Sequence, residues 1–345
     1  MPRGEIRQYE VTAFVDADTS VQEVSKIFEA LTRLSDRGVI DFSIESRKAR
    51  NCWPRVVALH ARDENGTTRN AAIDLSDQRD LFDEDELRNA NIYFKRSFWP
   101  DAARDLPEDQ RAKVQPFGLN NPAIGRRAMF RLLRARMRTD RKAHGFMRDA
   151  RQLAALPNPS AFECAPEQEA EPLVLFQTRL WDSEDPEFNA INEQRIALVR
   201  CLRKALGNRF IGGLIPTDHA RRRHADFLTD LPYSMRSYPK VVRHALIGVY
   251  SQGLHRSIAF KMSEYLAASR CIVADRIDVL LPSSLEPGKH FLQFEDPNDC
   301  AARCDALLAN STAMREMRAT NWNYYRQQLE PGAQLLNVLR RLFEH

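Results

Sequence analysis

At 345 residues, with 43% hydrophobic and 28% charged residues, the chain carries enough apolar material for two cores and falls outside the disordered and fibrous classes. Its net charge of +4 is small for that length and, with no recognition module beside it, predicts no nucleic-acid partner. No run approaches the roughly 18 consecutive apolar residues that cross a bilayer, and the opening MPRGEIRQYEVTAFVDAD lacks the apolar region of a signal peptide, so the reading places the protein in the cytoplasm.

Residues 9–15 (YEVTAFV) predict a strand, and the spacing of Val21, Val24, Ile27, Phe28, Leu31 and Leu34 predicts a helix over 21–35. Asp16-Ala-Asp18 between them has the form of a metal-binding carboxylate pair, but so close to a helix start Asp18 and Thr19 read as caps. β-like runs follow at 39–44, 55–61, 71–75 and 90–97, an alternation typical of an α/β domain. Asp74, Asp77 and His60 sit near the ends of these strands as candidate bases or as turn residues, and Lys95 and Arg96 as strand-end charges or anion contacts. Residues 125–143 (GRRAMFRLLRARMRTDRKA) mix arginine and lysine with an apolar face. Two readings lead for them, peripheral contact with anionic lipid at the inner face of the cell membrane or a basic surface helix; nucleic acid is a third, with no recognition module beside the charge.

The Pro-, Ala- and Glu-rich stretch 156–171 reads as a linker between a first domain, 1–155, and a second, 172–330. After it the pattern restarts with a strand at 172–181, a helix at 188–206, a strand at 209–215, a strand at 245–251, a helix from near Ser257 and a strand at 271–275. A β-loop-α-β unit of this kind predicts a parallel sheet with a right-handed crossover. A strand-like piece at 290–294 and helices at 297–308 and around 311–326 follow, and a terminal helix within 331–345 is expected to cross back to the first domain. The six cysteines, Cys52, Cys164, Cys201, Cys271, Cys300 and Cys304, form no CxxC pair and read as reduced thiols. Cys300 and Cys304 share a helix face without histidine partners, so no metal is expected.

The segment that points to chemistry is ALIGVYSQGLHRSIAFKMSEYLAASRCIVADRI, residues 245–277. A strand delivers the chain to a loop with Gly253, Leu254, His255, Arg256 and Ser257, and a helix start beyond the carboxyl end of a parallel strand suits a diphosphate. His255, Arg256 and Lys261 add donors and charge, and Glu264 further along the helix can accept hydrogen bonds from a ribose. The plainer reading is a structural turn with a solvated helix behind it.

FKMSEYLAASRCIVAD resembles the KxxEYLAxGxPVVA segment in the C-terminal domain of GT-B glycosyltransferases, including bacterial enzymes of capsule and lipopolysaccharide clusters. LVLFQTRLWD, INEQRIALVRCLRK, RFIGGL, GLHRSIAFKMSEYLA and NYYRQQLEP, with NIYFKRS and PFGLN earlier, extend the likeness over most of 70–335. The resemblance implies an α/β fold of two Rossmann-like domains facing across a cleft, the first binding acceptor and the second a nucleotide sugar. It implies transfer of a sugar to a polysaccharide or lipid-linked saccharide with no metal or other cofactor. By position, Glu264 resembles the glutamate on the nucleotide ribose, Gly253, Leu254, His255 and Ser257 the loop against sugar and diphosphate, and Arg179 the basic residue on the pyrophosphate, with Arg256 and Lys261 sharing its catalytic role. Many retaining members carry a glutamate eight positions before the ribose glutamate; Arg256 stands there, which leaves the stereochemical outcome open. A non-catalytic nucleotide-sugar or glycan-binding protein and a sugar-nucleotide epimerase are the alternatives.

Overall fold

The computed structural model describes residues 8–48, 55–139 and 143–344. The N-terminal stretch before Gln8, Cys52, and 140–142 of the basic segment lie outside them. The chain divides into two compact units: one running to Pro159 and including Leu280–Ser283 and the chain from Gln327 on, the other comprising Ser160–Val279 and Ser284–Arg326.

The first unit contains β1 (Tyr9–Asp16), α1 (Val21–Asp36), β2 (Ile40–Arg47), β3 (Val56–Asp63), β4 (Thr68–Asp74), α2 (Glu84–Asn89), β5 (Ile92–Lys95), α3 (Glu108–Arg111), β6 (Val114–Pro116), α4 (Arg126–Thr139) and α5 (Ala143–Ala154). Its six strands stand in the order β2-β1-β3-β4-β5-β6. Strand β3 runs antiparallel to both β1 and β4, while the other neighbours are parallel. The chain turns back between β3 and β4 within residues 64–67, too short for the crossover that a parallel neighbour requires. The sheet is therefore mixed, which the alternating pattern alone does not reveal. All six apolar residues of the α1 stripe are buried. Ser20, not Asp18 or Thr19, is the N-cap residue, and Thr19 Oγ1 instead accepts from the backbone N–H of Asp16.

The polar residues singled out near these strand ends form internal pairs. Lys95 and Asp74 are both fully buried, 2.6 Å apart, and Asp74 also accepts from the Tyr93 hydroxyl at 2.8 Å. Lys95 is thus unavailable to an outside anion, and Asp74 is bonded on one carboxylate oxygen by two donors. Arg96 pairs with Asp77, and the exposed His60 bonds to Asn70 at 2.8 Å.

The second unit contains β7 (Glu171–Thr178), α6 (Pro186–Leu206), β8 (Phe210–Leu214), α7 (Asp218–Arg223), α8 (Tyr238–His244), β9 (Ala245–Tyr250), α9 (Phe260–Ala267), β10 (Cys271–Ala274), β11 (Leu292–Gln293), α10 (Pro297–Leu308) and α11 (Ser311–Tyr324). Its strands are all parallel in the order β11-β10-β9-β7-β8. This is a doubly wound arrangement whose order reverses between β7 and β9. A core of Val174, Phe176, Leu198, Leu202, Val249, Val273, Cys300 and Cys304 joins the sheet to α6 and α10. Gly248 of β9 permits α9 to close on the sheet, since a Cβ there would meet the Tyr265 ring at 2.7 Å.

The stretch 156–171 is not a free linker. Leu156, Pro159, Phe162 and Cys164 are buried, a 3-10 turn spans Pro159–Ala161, and the units part at Pro159 within it. Its polar composition hides enough apolar side chains to pack. A π-helical turn, Tyr325–Leu329, carries the chain out of the second unit, and the final helix α12 (Pro331–Glu344) packs in the first unit against α1, burying Leu335, Val338, Leu339 and Leu342.

Candidate functional site

The carboxyl ends of β7, β9 and β10 place Arg179, the loop 251–259 and Asp275 at one edge of the second sheet, around the point where strand order reverses. In a doubly wound sheet this is the edge at which ligands bind. The loop after β9 is stitched tightly. Gln252 donates its backbone N–H to Asp275 Oδ2 at 2.8 Å, the N–H of Gly253 reaches the Ser257 carbonyl at 3.0 Å, and Ser257 returns its own N–H to Leu254. Gly253 is needed for close approach: a Cβ would sit 2.8 Å from Ser257 Oγ. Helix α9 starts at Phe260, later than the expected start near Ser257, because the loop consumes the N–H groups of Gly253 and Ser257 and Tyr250 OH accepts from Ala259.

Within the loop His255 and Arg256 both adopt left-handed backbone, φ 56° and 55°, a conformation that costs a non-glycine residue about 1 kcal/mol or more. Two carboxylates hold them there. Glu187, in the first turn of α6, accepts from the His255 backbone N–H and lies 3.3 Å from its Nδ1, and Asp278 pairs with Arg256 and Arg276. Arg179 is exposed, and its carbonyl accepts from Arg195.

Lys261 and Glu264 lie one turn apart on α9, both partly buried. Lys261 Nζ donates to Tyr238 OH at 2.7 Å and sits 4.1 Å from the centre of that ring. Burial pushes the lysine down from its ordinary value and the glutamate up, while their mutual attraction opposes both shifts. The sequence pattern carries no strong signal for α8, so Tyr238 is a partner that only the structure supplies.

Three further groups escape the sequence reading. Arg195 of α6 is buried, donates to the carbonyls of Arg179 at 2.7 Å and Gln252 at 3.1 Å, and stacks 4.2 Å from the Trp181 ring centre. It thereby ties the β7 loop to the β9 loop. Its sequence signal is its place on the α6 stripe with Leu198, Val199 and Leu202, where a cation is out of pattern. Asp275, at the end of the CIVAD strand, is pushed up to about 7 by burial, with bonds from Gln252 and Gln194 opposing the shift. Glu187 carried no signal beyond its place in a first helical turn. Among the described residues no cluster of three or more His, Cys, Asp or Glu could hold a metal ion.

No family model and no curated protein matches the chain. Solved structures similar to it include Anabaena HepE in complex with UDP-glucose, 8% identical at a TM-score of 0.43, covering 97% of this chain and all of that one. A putative UDP-N-acetylglucosamine 2-epimerase from Listeria monocytogenes is 10% identical at a TM-score of 0.45, covering 97% of this chain and 96% of that one. The C-terminal domain of the group 1 glycosyl transferase LpcC from Francisella tularensis is 12% identical at a TM-score of 0.33, covering 49% of this chain and 95% of that one.

Proposed function

We propose that the chain is a GT-B glycosyltransferase that moves a sugar from a nucleotide-sugar donor to a polysaccharide or lipid-linked saccharide of the bacterial surface, without a bound metal. The observation that carries this reading is the gathering of the loop 251–259, Lys261, Glu264 and Arg195 around the strand-order reversal between β7 and β9. Glu264 accepts the ribose hydroxyls, and Gly253, Leu254, His255 and Ser257 lie along the sugar and diphosphate. In the reaction the acceptor oxygen bonds to the anomeric carbon as the bond from that carbon to the diphosphate breaks with its electron pair. Arg179, Arg256 and Lys261 stabilise the charge that collects on the diphosphate. The acceptor proton leaves to a base or to the departing diphosphate.

Thermal unfolding against a panel of nucleotide sugars tests this. One nucleotide sugar at 100-fold excess over its Kd is expected to add about 2.7 kcal/mol of stability. Glu264→Ala is expected to abolish the gain and glycosyl transfer together; no response to any nucleotide sugar at millimolar concentration sinks the reading.

On the acceptor side, α4 supports contact with anionic lipid. It turns Leu132, Leu133 and Ala135 inward while Phe130, 67% exposed, and Met137, 56% exposed, stand outside among the exposed Arg126, Arg127, Arg134 and Arg138. Sedimentation with vesicles containing phosphatidylglycerol, but not with neutral ones, is expected, and Phe130→Ser with Met137→Ser is expected to weaken it.

A further inference from the structure

The loop assigned above to the donor diphosphate is held, in this structure, by carboxylates of the chain itself. Glu187 takes the backbone N–H of His255, and Asp278 takes the guanidinium of Arg256. A carboxylate oxygen and a phosphate oxygen are alternative acceptors for the same N–H, and two anions placed on one donor repel each other. We propose that Glu187 is a resident anion of the diphosphate loop, which an incoming diphosphate must displace, so that this side chain sets the affinity of the site for diphosphates. The inference rests on the donor site proposed above.

Glu187 is built for this exchange. It stands in the first turn of α6, where the helix start favours a negative charge, and its backbone N–H is tied to the N-cap Asp185 at 2.8 Å, so the main chain stays in place when the side chain leaves. Its side chain is 38% exposed, which leaves a route into solvent. On the same sheet edge, Asp275 Oδ1 and Arg195 Nε are buried without a hydrogen-bond partner, whereas the N–H groups of Gly253, His255 and Ser257 are all satisfied. Unmet polar capacity therefore remains at this edge, beside a loop whose His255 N–H is met from outside by Glu187. Exchange keeps the loop as it is: a phosphate oxygen that takes the His255 N–H replaces the bond that Glu187 gives up.

The test is titration calorimetry of the full chain and of Glu187→Ala and Glu187→Gln, with inorganic pyrophosphate and with a panel of nucleoside diphosphates as probes. The alanine variant is expected to bind both classes roughly three- to tenfold more tightly, and the glutamine variant to gain less because its amide oxygen still accepts from His255. Unchanged circular dichroism confirms that the variants are folded. Tighter pyrophosphate binding with no nucleoside diphosphate bound upholds Glu187 as the resident anion while sinking the nucleotide reading. Nucleoside diphosphates bound by all three proteins with equal or weaker affinity in the variants overturn the proposal and leave the donor site standing. Failure of every protein to bind either probe overturns both.

Discussion

Asp275 follows the last residue of β10 and is buried, and that placement sets a pH signature. Its carboxyl titrates at about 7 in the folded chain against an ordinary aspartate value of 3.8, so the folded state holds the proton more tightly than the unfolded one. Its contribution to stability is full below about pH 4 and is lost as pH rises through about 7, by up to about 4 kcal/mol. Urea unfolding at pH 4.5 and 7.5 is expected to show that loss in the parent chain, and a smaller one in Asp275→Asn, which keeps an acceptor for the Gln252 N–H. Equal slopes in both proteins contradict the assignment. Lys95 and Asp74 are fully buried and paired at 2.6 Å, with the Tyr93 hydroxyl also donating to the carboxylate. Lys95→Met leaves a buried carboxylate with one donor fewer and is expected to cost about 3–5 kcal/mol in urea unfolding, with the double change Lys95→Met, Asp74→Leu costing less.

At the scale of elements, glycine decides where α9 lies. Gly248→Ala places a methyl group 2.7 Å from the Tyr265 ring, so α9 must move away from β9 and take Lys261 and Glu264 with it. A loss of donor binding larger than the loss of stability is expected, read by calorimetry beside urea unfolding. Helix α12 is held by burial. Leu339 is fully buried, and Leu339→Ala is expected to cost about 2–5 kcal/mol in urea unfolding. Both elements are legible in the sequence as helices because their periodic apolar residues are local. What packs on them is not, since Tyr265 against Gly248 and Leu339 near α1 join residues far apart in the chain.

At the scale of the whole molecule, the first unit is not a continuous stretch. Arg33 reaches Glu330 at 2.7 Å, and α12 covers α1, so a fragment ending at Pro159 lacks part of its own core. Residues 8–159 alone are expected to be poorly soluble and to lack a cooperative thermal transition, and fusing 327–344 through a flexible linker is expected to restore one. A cooperative transition in the short fragment contradicts this division. The α/β class, the strand–helix alternation and the loop at Gly253 follow from the sequence by itself, because hydrophobic period and turn chemistry act over a few residues. Only the tertiary structure decided the antiparallel place of β3, the packed state of 156–171, the start of α9 at Phe260 and the grouping of Glu187, Arg195 and Asp275. Those features depend on hydrogen bonds and burial between segments distant in sequence, where no local pattern records which partner a side chain meets.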